Sequence, residues 1–307
     1  MKSVLHSIGL RYFVEVARTG SVSAASEALH VDISAISRQI SKLEQELRCI
    51  LFDRLPRGMV LTEGGRKLMS FAVRSLLDAE QIGRELQEVS DFRGRTLRIA
   101  SSHGFAYEAL PEAIASFSLD HPGISFDAYV GLPMDISERV RDGEADIGLT
   151  FTLSPISGVR TEFRQPSPIH VLVRHDDKLA GRKALSLKAL EGRDVLVPGK
   201  GATLRELIDI SAGVAGVTLN PVMESDNGQL LYRIAQMTGA LLFTSMISVS
   251  RRYRSDGFVA IPLTDRILRQ RSVELQTMAG RNLPPPVRKF CDHLAKALNR
   301  PYSAERH

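Results

Sequence analysis

Between Leu10 and Leu47 apolar side chains recur at helical spacing in short runs broken by glycine and polar residues. Leu10, Phe13, Val14 and Ala17 share one face of a helix that Gly20 ends. Ala24, Ala25, Ala28 and Leu29 repeat the spacing over a shorter stretch, opened by Ser21 or Ser23, whose hydroxyls suit an N-cap. After a tight connection through His30 and Val31, Asp32 stands where it would cap a third helix, with Ile36, Ile40, Leu43 and Leu47 facing inward. The alanines at 24, 25 and 28 predict a close approach of the second and third helices. The outward row of the third helix then reads Ser34, Ser37, Arg38 and Lys42.

This spacing fits a plain three-helix scaffold with a solvated polar face as well as a helix-turn-helix that turns the row toward a DNA major groove. The next segment breaks the tie. Leu51 and Phe52, the turn-forming run Leu55-Pro56-Arg57-Gly58, and Met59 to Leu61 predict a short hairpin with Arg54 and Arg57 at its tip. A hairpin behind a helix-turn-helix is a wing, and arginines there suit backbone phosphates or an adjacent minor groove.

The order of these residues resembles the LysR-type family of bacterial transcriptional regulators. The resemblance runs through Leu10-Arg11-Tyr12-Phe13-Val14, Gly20-Ser21-Val22-Ser23-Ala24-Ala25, Ala28-Leu29-His30-Val31, Ile36-Ser37-Arg38-Gln39-Ile40, Leu43-Glu44, Leu51-Phe52-Asp53-Arg54 and Leu61-Thr62-Glu63-Gly64-Gly65. It implies double-stranded operator DNA as a partner, with contacts from Ser23, Ile33, Ser34, Ala35, Ser37, Arg38, Lys42, Arg54 and Arg57, and RNA polymerase as a further partner. Where the family usually opens this helix with Ser-Gln-Pro, the chain has Asp32-Ile33-Ser34, so Ile33 offers only an apolar contact, such as a thymine methyl. Ala24 replaces a residue that is often basic or polar.

From Thr62, a suitable N-cap, to about Asp91 no proline occurs. Leu68, Ala72, Ser75, Ala79, Ile82, Leu86 and Val89 alternate spacings of four and three, a heptad seam that favours a partner helix over an amphipathic helix packed on its own domain. A homodimer formed there would present two recognition helices to two half-sites, and the resemblance implies pairing of dimers into a homotetramer.

Beyond Thr96, apolar runs alternate with helical patterns: Leu97 to Ala100, Ile124 to Val130, Asp146 to Phe151, His170 to Arg174, Asp194 to Val197, Ala240 to Phe243, Val259 to Leu263 and Val273 to Met278. These are α/β units. The full expectation is α/β with an N-terminal all-α winged helix-turn-helix (1–62), a long linker helix (63–92) and a periplasmic-binding-protein-like effector domain (93–307). By resemblance that domain has two subdomains, one of 93–164 with 268–307 and one of 165–267. Val140-Arg141-Asp142-Gly143-Glu144-Ala145-Asp146-Ile147-Gly148-Leu149 is its clearest match.

Ligands of such sheets bind beyond the carboxyl ends of strands, near helix N-termini. This singles out Ser101, Ser102 and His103 after the first strand, where they would open a helix, and Leu132 and Pro133 after the second. It adds Phe151 and Thr152 after the third, and Lys200, Thr203 and Asn227 at helix starts in the second subdomain. Together they suit a small-molecule effector such as a carboxylate or other anion, with Lys200 and helix dipoles supplying positive potential. For Ser, Thr and Asn, ordinary helix capping is the competing account.

Net charge is +5, but residues 1–62 carry only eight Lys or Arg against six Asp or Glu, whereas 251–307 carry twelve against five. Bulk charge is therefore no argument for DNA binding; the placement of single side chains is. Cys49 and Cys291 are far apart, without redox or metal spacing. The cluster His170, His175, Asp176 and Asp177 reads as strand and turn rather than a zinc site, so no metal or cofactor is expected. Ser101, Ser102 and His103 lack a nucleophile elbow, which argues against a hydrolase. The other alternative is a small-molecule-binding protein that does not regulate DNA. Neither an apolar run of membrane-spanning length nor a secretory leader is visible, so a cytoplasmic location without membrane contact is expected.

Overall fold

A computed structural model of the chain describes residues 8–56, 58–86 and 94–299. The chain divides into two compact units, one of Met1–Asp91 together with Arg141–Gly143 and Gly280–Asn282, the other of the remaining residues.

The N-terminal unit contains α1 (Ile8–Thr19), α2 (Val22–Leu29), α3 (Ile33–Leu47), a hairpin of β1 (Phe52–Leu55) and β2 (Gly58–Leu61), and α4 (Glu63–Leu86). Leu10, Phe13 and Val14 of α1 are buried, as are Ile36, Ile40 and Leu43 of α3, and Phe13 meets Phe52 of the hairpin at 5.2 Å between ring centres. Each buried side chain of this size contributes about 1.5 to 3 kcal/mol, so this small core carries most of what holds the helices together. The Ser21 hydroxyl caps α2 by accepting from the Ala24 amide, and His30, in the left-handed region, ends the helix.

Local expectations are corrected at several points. Asp32 occupies the N-cap of α3, but its carboxylate accepts no capping hydrogen bond; its backbone carbonyl takes the Ala35 and Ile36 amides instead. Of the alanines, Ala25 is buried and Ala24 half-buried, while Ala28 faces solvent and takes no part in close packing. Arg54 is not at the hairpin tip but within β1, opposite Met59. Arg57 lies outside the described residues.

Thr62 starts α4, its hydroxyl accepting from the Gly65 amide at 3.0 Å and donating to the Ile50 carbonyl at 2.7 Å. The helix buries Met69, Ala72 and Val73, a row one residue out of step with the seam at Met69 and Val73, because α4 packs on α1. Leu68 and Ser75 are half-buried, whereas Ala79 and Ile82 are exposed. The side chain of Leu86, and Val89, fall outside the described residues.

The C-terminal unit is built on two sheets. The first runs β4-β3-β5-β12-β6, from β3 (Arg95–Ser102), β4 (Ile124–Gly131), β5 (Ile147–Thr152), β6 (Val159–Pro166) and β12 (Ser272–Met278). The second runs β11-β7-β10-β8-β9, from β7 (Ile169–Arg174), β8 (Asp194–Pro198), β9 (Asn220–Ser225), β10 (Leu241–Ser245) and β11 (Phe258–Pro262). Helices α5 (Ala109–Asp120), α6 (Pro133–Arg141) and α9 (Pro285–Leu298) belong with the first sheet, and α7 (Thr203–Ala215) and α8 (Gly228–Thr238) with the second. Phe117, Leu149, Phe290 and Leu294 share one core; Val171, Val195, Leu207 and Phe243 share the other. The strands that apolar runs did not reveal, β6 and β9, are both sheet edges, where one open side removes the need for a continuous apolar run. The chain crosses between the sheets twice, and the crossings are tied together where the Ser167 amide donates to the Arg271 carbonyl at 2.8 Å.

Candidate functional site

In the N-terminal unit, burial of Ile36, Ile40 and Leu43 fixes the rotation of α3 and so turns its opposite row outward. Ser34, Arg38 and Lys42 are exposed on that row, with Ile33 at 51% exposure, while Ala35 and Ser37 are half-buried. Lys42 also reaches Glu46 at 3.8 Å. Ser23 on α2 and Arg54 on the hairpin are exposed as well. The hairpin is anchored from two sides. Glu44 of α3 accepts the Leu51 and Phe52 amides at 2.8 and 3.4 Å, and the Met59 amide donates to the Gly20 carbonyl at 2.8 Å. A Cβ on Gly58, whose φ is +128°, would stand 2.5 Å from that carbonyl oxygen, so the approach requires glycine.

In the C-terminal unit, a cavity of about 130 Å³ opens where strands of both sheets end. Of the residues singled out from sequence, Ser102, His103, Leu132, Pro133, Phe151 and Thr203 line it. Ser101, Thr152, Lys200 and Asn227 do not. Ser101 and Ser102 belong to the end of β3 instead of opening a helix, and alternation along the strand points only one of them at the cavity. His103 begins a short 3-10 turn, and α5 starts only at Ala109. Phe151 and Thr152 are the last residues of β5, not residues after it. Asn227 is committed to its own helix, accepting the Gln229 and Leu230 amides. Lys200 is exposed.

The cationic wall comes from two arginines that sequence reading passed over. Arg271 is 3% exposed, and its Nε and Nη2 have no hydrogen-bond partner among the described residues. Burial alone lowers its pKa to about 9. The guanidinium lies over the Phe151 ring, which stacks on Phe105. Arg252, in contrast, is engaged. Its Nη1 donates to Gln229 at 2.8 Å, its Nε faces a Glu108 oxygen at 3.3 Å without hydrogen-bond geometry, and its guanidinium covers Tyr107 and Tyr232. Desolvation raises the Glu108 pKa although its other oxygen accepts the Arg251 amide at 3.2 Å. Burial, then a hydrogen bond to Asp256, raises the Tyr232 hydroxyl. An arginine leading directly into the buried strand Val273 to Met278 was the available sequence signal. The partners of His170, His175, Asp176 and Asp177 lie elsewhere: the Pro168 and Gly257 carbonyls, Arg174 and Arg193.

A winged helix with an outward polar row, followed by two α/β sheets around a cavity, defines a DNA-binding regulator with an effector domain. Residues 9–66 match the model of the bacterial regulatory helix-turn-helix protein, lysR family, and residues 90–299 match that of the LysR substrate binding domain. The chain belongs to the LysR family of DNA-binding transcriptional regulators, and its relatives are regulators rather than enzymes. It is 31% identical over 224 residues to the RuBisCO operon transcriptional regulator of Allochromatium vinosum, covering 70% of this chain and 71% of that protein. It is also 31% identical over 202 residues to the transcriptional dual regulator GltC of Bacillus subtilis, covering 65% and 66%. In fold it is similar to a full-length OxyR variant of Pseudomonas aeruginosa, with TM-score 0.69 at 19% identity over 100% and 99% of the two chains. The regulatory domain of Synechocystis CcmR in complex with 2-PG gives TM-score 0.57 at 18% identity over 67% and 98%. Full-length CbnR complexed with target DNA gives 0.51 at 19% identity over 94% and 98%. No helix of the described residues is long and apolar enough to cross a membrane.

Proposed function

We propose that the chain reads its operator with the N-terminal half of α3 and answers to a small anion held in the cavity of its C-terminal unit. One observation carries the DNA half: burial of Ile36, Ile40 and Leu43 leaves Ser34 and Arg38 outward at the end of the helix that enters a major groove. Ser34, Ser37 and Arg38 meet base edges or nearby phosphates; Ser23, Lys42, Arg54 and Arg57 meet the backbone; Ile33 and Ala35 make apolar contacts. The exposed Ala79 and Ile82 support a homodimer through α4, paired again into a homotetramer. The domains follow as 1–62, 63–92 and 93–307. Such an assembly works in the cytoplasm, where its operator and RNA polymerase are.

The effector half rests on Arg271, which lines the cavity and whose buried Nε and Nη2 have no hydrogen-bond partner among the described residues. An anion bound there favours one arrangement of the two sheets over another in proportion to its differential affinity. Genome-wide mapping of bound DNA, followed by footprinting with and without candidate anions, is the test. Discrete sites with a ligand-dependent footprint are expected; binding without sequence preference would overturn the reading.

A further inference from the structure

The effector class is written in the imbalance between two arginines on one cavity wall. Arg252 has its charge met by Glu108 at 3.3 Å and its Nη1 bonded to Gln229, which leaves only its Nε buried without a hydrogen-bond partner among the described residues. Arg271 is buried with Nε and Nη2 unsatisfied among the described residues, and its one ring contact covers a guanidinium face rather than that edge. An unpaired buried cation is costly, so a site that keeps one is complete only when an anion arrives. Nε and Nη2 together form the side of a guanidinium that matches the two oxygens of a carboxylate in parallel hydrogen bonds.

The rest of the wall limits what the carboxylate is attached to. Leu132, Pro133, Leu204, Leu231 and Phe243 make it mostly apolar, and its volume is about 130 Å³. An apolar cavity of roughly 150 Å³ accepts benzene. A second carboxylate on the ligand would meet hydroxyls such as those of Ser102, Thr203 and Ser248, the acidic Asp226, or Arg252, whose charge already faces Glu108.

We infer that the effector is a monocarboxylate with a compact apolar body about the size of a benzene ring, its two oxygens accepting from Nε and Nη2 of Arg271. This rests on the effector-cleft reading above and names its ligand class. The site then selects by two independent features, a paired charge and a mostly apolar wall, so that a neutral isostere and a dianion both bind more weakly.

Calorimetry and thermal shift on the full-length protein with benzoate, cyclohexanecarboxylate and 3-methylbutanoate, against benzamide, succinate and orthophosphate, provide the test. At least one monocarboxylate is expected to raise the melting temperature and bind tenfold or more tightly than benzamide, succinate and orthophosphate. Arg271→Met is expected to lose that binding by tenfold or more while its ligand-free form melts higher than the parent, the opposite of what loss of a structural arginine does. Arg271→Lys keeps the charge without the fork and is expected to lose binding too, which preserves the test if the methionine variant does not fold. Failure of all three monocarboxylates to bind, equal binding of benzamide or succinate, or unchanged binding in Arg271→Met would each overturn the inference. Succinate or orthophosphate shifting the operator footprint when no monocarboxylate does would overturn this ligand class and leave the regulator reading standing.

Discussion

The guanidinium carbon of Arg271 lies 4.2 Å from the centre of the Phe151 ring. The ring meets part of the cost of burying the cation, yet burial still lowers the Arg271 pKa from 12.5 to about 9. The unfolded chain therefore binds more protons than the folded one above pH 9, and the burial penalty is full below pH 9 and fades above it. Arg271→Met is expected to be more stable than the parent by about 1 to 4 kcal/mol near neutrality. In urea titrations this advantage shrinks as pH rises above about 9; an advantage constant from pH 8 into the alkaline range would contradict the assignment.

Glu108 titrates in the opposite sense to a salt-bridged carboxylate. Desolvation raises its folded pKa above 4.5, so the folded state holds this proton more tightly than the unfolded chain. Stability at this position is gained as pH falls through the window just above 4.5. Relative to Glu108→Gln, which cannot titrate, the parent is expected to gain stability across that window, as followed by chemical denaturation. A parent that loses ground to the variant on acidification would show that Arg252 dominates the site.

Gly58 lets the hairpin reach the α1–α2 turn. Gly58→Ala places a methyl 2.5 Å from the Gly20 carbonyl oxygen at a φ of +128°, at an expected cost of about 1 to 3 kcal/mol. Operator affinity falls with it, because Arg54 moves with the strand. Unchanged thermal stability and gel-shift affinity would remove the wing anchor from the account.

Arg38 and Arg54 separate by salt dependence. Arg38→Ala is expected to cost roughly 1 to 3 kcal/mol of operator binding and to relax sequence preference, as loss of a base contact does. Arg54→Ala weakens all sequences alike and reduces the salt slope by about one. Gel-shift titrations across salt concentrations distinguish them, and an unchanged slope for Arg54→Ala would deny it a phosphate.

Ile82, 56% exposed on α4, tests the dimer seam. Ile82→Asp puts a charge on each side of a two-fold contact and is expected to shift the protein toward monomer in sedimentation velocity. An unchanged sedimentation coefficient would place the interface elsewhere.

Spacing within a few turns of chain was enough for α1 to α3, for the hairpin and for eight of the strands, because each is set by which of its own residues must leave water. It failed where a neighbour decides. On α4 the seam pattern predicted Leu68 and Ser75 for a partner helix, but packing against α1 buries Met69 and Val73. The polar strands β6 and β9 form only because sheets are already there for them to edge.

The same division holds at the cavity. Order and spacing alone place a recognition helix ahead of an α/β domain and bring Ser102, Leu132 and Phe151 to strand ends, since strand ends are local features. Which cation faces a ligand is not local. Lys200, close in sequence to a helix start, stands in solvent, while Arg271 reaches the wall because two crossings, joined at Ser167, carry it against Phe151, where its Nε and Nη2 meet no hydrogen-bond partner among the described residues. Desolvation and the lack of a hydrogen-bonded partner among the described residues are properties of the folded surroundings, and they make this arginine the candidate anion receptor.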